Sequence, residues 1–264
     1  MKENSSRRSS VCRCGVRQRP TVKKCCCIST RDVPIKHPDL ATYSQQEQLS
    51  LGIMPTWNSP DITTNNWGPF RLMDEATIVV RNLSATVPAA NALVHYYTAP
   101  FGIGTRRTLK QSRQLFIGAG QQVSLTFPLD QATLNGDQRV GVHVVIEHPS
   151  DNKHINNSGS QVHNGAYTTE SGRNFNVMIP VFNDSPLTRQ ILLSIMPTDM
   201  LATLNILNHN FLPYEQLLVT LHITVPGSIV GSSGDIKERE VTVVGRLSDG
   251  TLIGGVTHIL RINN

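Results

Sequence analysis

After Cys27 the 264-residue chain contains no cysteine, although five stand before that point. The long body that follows therefore has no disulfide to form and no thiolate to offer a metal. Aromatic residues are scarce, at 5%, which disfavours a carbohydrate-binding surface. No run approaches the roughly 18 consecutive apolar residues of a membrane-spanning helix, so no membrane span is expected. The charged start MKENSSRRSSVCRCGV is followed by no apolar h-region, so no secretory signal peptide is expected. The expectation is synthesis in the cytoplasm without a Sec signal, with a surface or extracellular location reached only after assembly or lysis. No H-E-x-x-H, G-x-S-x-G, P-loop or G-x-G-x-x-G stands in its proper context. Ser, His and Asp are scattered without triad spacing. An enzyme is thus the least expected class, and no cofactor is expected.

What is present is alternation. From Pro60 on, apolar residues recur at every second position. Ala76, Ile78 and Val80 share a face, as do Leu93, His95 and Tyr97. Val123, Leu125 and Phe127 point inward, and Val140, Val142, Val144 and Ile146 follow. A second series runs through Phe175, Val177, Ile179 and Val181, then Ile191–Ile195, Ala202–Ile206, Leu217–Val225, Val241 and Val243, and closes on Val256, His258, Leu260 and Ile262. Pro, Gly and Asn/Asp turns separate the runs, as in an antiparallel sandwich. Each half spans roughly 100 residues, the size of one seven-stranded sandwich. Ser150–Arg173 is poor in large apolar residues and reads as a long loop and interdomain linker, with the domain boundary between Ser158 and Arg173, exposed and open to proteolysis. Residues 38–58 read as a polar linker with one short helical turn around Tyr43–Leu51. A truncation starting near Leu51 is expected to fold.

Residues 1–37 differ in kind. They carry ten Lys/Arg against Glu3 and Asp32, a balance of +8, while the whole chain is +5, leaving −3 for the rest. The basic residues include Arg7, Arg8, Arg13, Arg17, Arg19, Lys23 and Lys24. Such an arm binds nucleic acid or an acidic surface, or stays solvated and disordered.

The same arm holds Cys12 and Cys14 as C-x-C and Cys25, Cys26 and Cys27 in succession. A structural zinc site commonly takes two C-x₂₋₄-C pairs. Here the pairs do not form, because adjacent cysteines point apart, which leaves Cys12, Cys14, Cys25 and His37 only as weak metal candidates. Five is odd, so at least one thiol pairs between chains, binds something or stays free. Lys23, Lys24 and Arg13 favour thiolates and raise reactivity. Intermolecular crosslinking by Cys12, Cys14, Cys25, Cys26 and Cys27 is the preferred reading, against a reduced and solvated tail. Val22 and Cys25–Ile28 are compatible with an added strand on a neighbour's sheet edge.

The segment Trp57-Asn-Ser-Pro-Asp-Ile62, followed by ATIVVRNLS, ALVHYYTAP, IGAGQQVSLTF and GVHVVIEHPSDNKHINN, resembles the CARDB-like immunoglobulin-type domains of bacterial surface and modular proteins over residues 57–164. FNVMIPVFNDS, LPYEQLLVTLHITVP and IGGVTHILRI resemble the other Ig-like domains of such proteins over 165–264. The resemblance implies a non-catalytic module that spaces, adheres or assembles. The arm falls outside it, and resembles in design the Cys-bearing connectors of bacterial spore appendage subunits.

The expected fold is all-β: two tandem Ig-like antiparallel β-sandwiches, at 57–164 and 165–264, preceded by an extended N-terminal arm and linker at 1–56. The expected function is a structural, filament- or assembly-forming protein whose arm docks on or crosslinks neighbouring subunits, as a homo-oligomer or within a larger assembly. The alternatives are a coat-like protein whose arm contacts nucleic acid, and an adhesion or carbohydrate-binding module using Trp57, Trp67, Tyr96 and Tyr97. Asp151, Asn152, Asn156 and Asn157 offer oxygens to Ca²⁺, but a hydrogen-bonded Asn-rich loop is the better reading. The N-x-S matches at Asn82, Asn156 and Asn183 are near chance. Gly102, Gly104, Gly118 and Gly120 read as turn glycines.

Overall fold

The computed structural model describes residues 36–64, 75–128, 139–168, 172–227 and 236–263. Nearly all of this is β, with one short helix, and no helix among the described residues is long and apolar enough to cross a membrane.

The first sandwich follows the alternation. One sheet is centred on β3 (Glu75–Asn82), which pairs along its length with β6 (Gln122–Pro128). On its other edge β3 holds two short strands end to end, β1 (Leu40–Ala41) beside Arg81 and Asn82 and β2 (Ile62–Thr64) beside Ala76–Ile78. The facing sheet runs β5 (Thr108–Ile117), β4 (Ala89–Pro100), β7 (Val140–Glu147), β8 (Ser158–Gln161). Ala76, Ile78, Val80, Leu125, Phe127, Val142 and Val144 meet Val94 and Tyr96 in one core. The Tyr96 ring stacks on Phe127 at 4.6 Å, and the Arg113 guanidinium lies 4.6 Å from the same Phe127 ring centre. Leu93, His95 and Tyr97 do share a face, but it is the outer one: Ala92, Val94 and Tyr96 are the buried set.

The second sandwich faces β10 (Asn174–Phe182), β14 (Gln216–Thr224) and β12 (Leu201–Leu204) against β13 (Asn208–Phe211), β11 (Arg189–Ile195), β15 (Ile236–Leu247), β16 (Leu252–Asn263) and β9 (His163–Thr168). Its pairings are antiparallel except β9 with β16.

Two expectations fail here. Ser150–Arg173 is not one long exposed loop. Within it β8 adds to β7 and β9 adds to β16, and Gly159–Val162 are buried. Nor is 38–58 a free linker ahead of the body. Leu40 is wholly buried in the first core, Leu83 N donates to Asp39 O at 2.7 Å, and Thr42 N donates to Asn156 O at 3.0 Å. Helix α1 (Gln45–Ser50) matches the expected helical turn, and the Ser44 side chain caps it by accepting from Glu47 N. A truncation at Leu51 removes β1, α1 and the Gln45 contacts to β8, so the truncated chain loses part of what holds the first sandwich together and is expected to unfold.

The two sandwiches repeat one device. Asn82 ends β3 and Asn183 follows β10, both almost fully buried. Asn82 Nδ2 donates to Val87 O, Ile117 O and Gly118 O; Asn183 Nδ2 donates to Leu187 O, Phe211 O and Leu212 O. Asn82 N donates to Gln121 O as Asn183 N donates to Glu215 O. Gly120 and Tyr214, at φ 67 and 58, donate to Ser84 O and Ser185 O. One amide at the end of a strand thus closes two turns in each sandwich.

Candidate functional site

The two sandwiches meet through a buried junction, and the residues that build it come from four separated segments. Trp57, Phe101, Ile103 and Val162 belong to the hydrophobic cluster of the second sandwich. The sequence requires glycine where they land. A Cβ on Gly255 would lie 2.6 Å from the Trp57 ring, and one on Gly245 would lie 2.5 Å from Ile103 Cγ2. Ile103 N donates to Pro180 O and Phe182 N donates to Ile103 O, both at 2.9 Å, so the turn after β4 adds one residue to the edge of β10. The Arg139 guanidinium covers the Phe101 ring at 4.8 Å.

A polar ring surrounds Trp57. Trp57 N donates to Thr257 Oγ1 at 2.8 Å, Val162 N to Trp57 O at 2.8 Å, and Thr257 N to Val162 O at 3.0 Å. Glu240 accepts from Thr56 Oγ1 at 2.7 Å and from Asn58 Nδ2 at 2.8 Å. Gln161 accepts from Ser59 N and contacts His163 Nδ1 at 2.8 Å through Nε2. Closer to the first core, Arg81 binds Asp61 through both guanidinium nitrogens, and Asp61 also accepts from Tyr43 N. That bidentate hydrogen bond raises the Arg81 pKa further above its ordinary value. The junction is held by backbone and side-chain hydrogen bonds around a buried indole. Such an arrangement fixes the geometry between the two sandwiches.

Three histidines are held neutral by burial. His143 lies well below its ordinary value, through desolvation first and the nearby Arg107 second. His258 is pushed down to about 4 by desolvation. His163 is also pushed down to about 4 by desolvation, with Glu238 opposing.

The sequence-derived candidates divide as follows. Cys12, Cys14, Cys25, Cys26, Cys27, Arg7, Arg8, Arg13, Arg17, Arg19, Lys23 and Lys24 lie outside the described residues, as does Trp67. His37 is half-buried just before β1, and no group of three or more His, Cys, Asp or Glu is placed to hold a metal among the described residues. Two aromatic candidates for an adhesive surface are core residues: Trp57 is 2% exposed and Tyr96 wholly buried. Packing against Gly255 and Phe127 uses their rings internally. Asp151 is a structural tie, accepting from Leu40 N at 2.9 Å and Lys153 N at 3.0 Å. The N-x-S matches at Asn82, Asn156 and Asn183 mark buried residues. Sequence reasoning missed Asn82, Asn183, Asp61, Thr257 and Arg107. Only the asparagines left a signal, in the repeated strand–Asn–x–Ser of VVRNLS and VFNDS.

No family model and no curated protein matches the chain. Among solved structures it is similar to Escherichia coli alpha-2-macroglobulin activated by porcine elastase, at 9% identity and TM-score 0.29, over 86% of this chain and 22% of that one. The native conformation of the same E. coli protein matches at 7% and 0.30, over 77% and 17%. A Porphyromonas gingivalis W83 protein of unknown function matches at 8% and 0.27, over 76% and 100%. The chain spans about a fifth of the E. coli chains' length. Likeness at these scores carries no argument about what the chain does.

Proposed function

We propose that this chain is a non-enzymatic structural protein whose Cys-rich N-terminal arm docks on or crosslinks neighbouring subunits of an assembly. One observation carries the reading. Trp57, Phe101, Ile103 and Val162 of the first sandwich are core residues of the second, so the body is a two-sandwich block with a fixed junction. A building unit needs a rigid body and a separate linking peptide. The support on the peptide's side is compositional: all five cysteines and the net positive charge stand ahead of a body that contains neither a thiol nor an excess of cations. We further read residues 57–164 as CARDB-like, a spacing module, on the sequence motifs from Trp57 to Asn157. The partner is a second copy of this chain or a larger protein assembly, joined after exposure to an oxidising environment.

The test is gel mobility and electron microscopy of the full chain with and without reductant. Reductant-sensitive oligomers, absent when Cys25, Cys26 and Cys27 are all changed to Ser, are the expected result. Salt-dependent retention of nucleic acid by the reduced monomer, without oligomers, would favour the coat-like alternative.

A further inference from the structure

A cavity of about 170 Å³ opens at the junction, lined by Gln46 of α1, Trp57, Arg107, Ser158 and Ser160 of β8, and Ile253 of β16. Its one charged group, the Arg107 guanidinium, is donor-only, and its serine and glutamine side chains can also donate. Arg107 precedes β5 and is itself exposed on the cavity's rim, with neighbouring protein atoms lowering its pKa from the ordinary arginine value by desolvation, against a smaller opposing effect of Tyr97. It remains a cation at any physiological pH. Among the described residues it forms no ion pair or hydrogen bond, and the groups acting on it electrically are the Tyr97 phenol and the His143 ring. Neither is a carboxylate.

Ser160 adds a second donor through its own partner. His143 is 6% exposed, and its Nδ1 lies 2.8 Å from Ser160 Oγ while its Nε2 has no partner. A buried N–H left unpaired is costly. We assign the neutral ring's proton to Nδ1, where Ser160 Oγ accepts it, leaving the bare lone pair at Nε2. Ser160 is then free to direct its own O–H into the cavity. Ser158 and the Gln46 amide supply further donors on the same wall space.

We propose that this junction cavity binds a small carboxylate, held by the Arg107 fork and the Ser160 hydroxyl. A planar guanidinium matches a carboxylate with two parallel hydrogen bonds. The cavity's size admits a small acid or one acidic sugar ring and excludes a folded partner. Trp57 on its wall reports occupancy.

The proposal is independent of arm-mediated assembly, and its failure leaves that reading standing. The test is a titration of Trp57 fluorescence in the full chain carrying Trp67→Phe, which leaves one tryptophan, paired with calorimetry of the unaltered chain. The probes are glucuronate, acetate and glucose at constant ionic strength. A saturable response to glucuronate or acetate is expected, with glucose inert. Response to glucuronate alone identifies an acidic sugar; response to both identifies the carboxylate of any small acid. Arg107→Gln is expected to weaken binding at least tenfold, Arg107→Lys to restore part of it, and Ser160→Ala to weaken it several-fold. Arg106→Gln, one residue outside the cavity, is expected to change nothing. Absence of a saturable response in both measurements overturns the proposal, as does glucose binding as tightly as glucuronate, or unchanged binding in Arg107→Gln. Should Arg107→Gln lose the native circular dichroism spectrum, unchanged binding in Ser160→Ala and Arg107→Lys overturns it equally.

Discussion

The Trp57 ring lies where the side chain of any residue other than glycine at position 255 would stand, 2.6 Å from that missing Cβ. The two residues come from different sandwiches, and their fit sets the junction. Gly255→Ala is expected to destabilise the body by about 1–3 kcal/mol through overpacking. Trp57→Ala, which leaves a cavity in the same place, is expected to cost about 3–5 kcal/mol. Denaturant unfolding at neutral pH measures both. A junction of no importance would leave both variants within about 0.5 kcal/mol of the parent.

Asn82 and Asn183 provide a matched pair. Each amide serves three carbonyls at the end of a strand, so Asn82→Ala and Asn183→Ala each strip buried acceptors of their donor. The expected cost is about 1–3 kcal/mol for each. Their effects are expected to add, because the two sites share no hydrogen-bond partner. A double-mutant cycle in urea checks this.

The buried histidines set the response to acid. His163 and His258 titrate near 4 in the folded protein and near their ordinary 6.5 when unfolded. Between those values the unfolded chain binds more protons, so stability is full above about pH 6.5 and falls as pH drops toward 4. At pH 4 the loss is about 3 kcal/mol for each, from about 1.4 kcal/mol per unit. His143 acts in the same direction. His258→Leu is expected to shrink the difference in unfolding free energy between pH 7 and pH 5 by about 2 kcal/mol. An unchanged difference would show that His258 gains a proton at no cost in the fold.

Much of the architecture was legible in the chain because its core strands alternate cleanly. Ala76–Ile78–Val80 and Val219–Leu221–Ile223 needed only the two-residue period. β8 and β9 were not legible. Ser158-Gly-Ser-Gln161 and His163-Asn-Gly-Ala166 have the composition of a loop, and what makes them strands comes from far away. Gln45, 115 positions earlier, donates to Ser160 O and accepts from Ser160 N, supplying the edge that β8 lacks. For the same reason 38–58 read as linker: Leu40 and Trp57 are anchored by β3 and by Gly255, and no local pattern announces either. The cavity was invisible too, since Arg107 stands alone between turn and strand and acquires neighbours only when β8 and β16 converge on it.

The central claim is that the arm assembles what the body builds. Sedimentation velocity of the full chain against residues 36–264, both under oxidising conditions, tests it most directly. The shorter chain keeps both hydrophobic cores, all its strands and the junction, so it is expected to stay folded and monomeric. The full chain is expected to sediment as oligomers that collapse to the monomer on adding reductant. Oligomers of equal size from residues 36–264, or a full chain that stays monomeric when oxidised, would contradict the account.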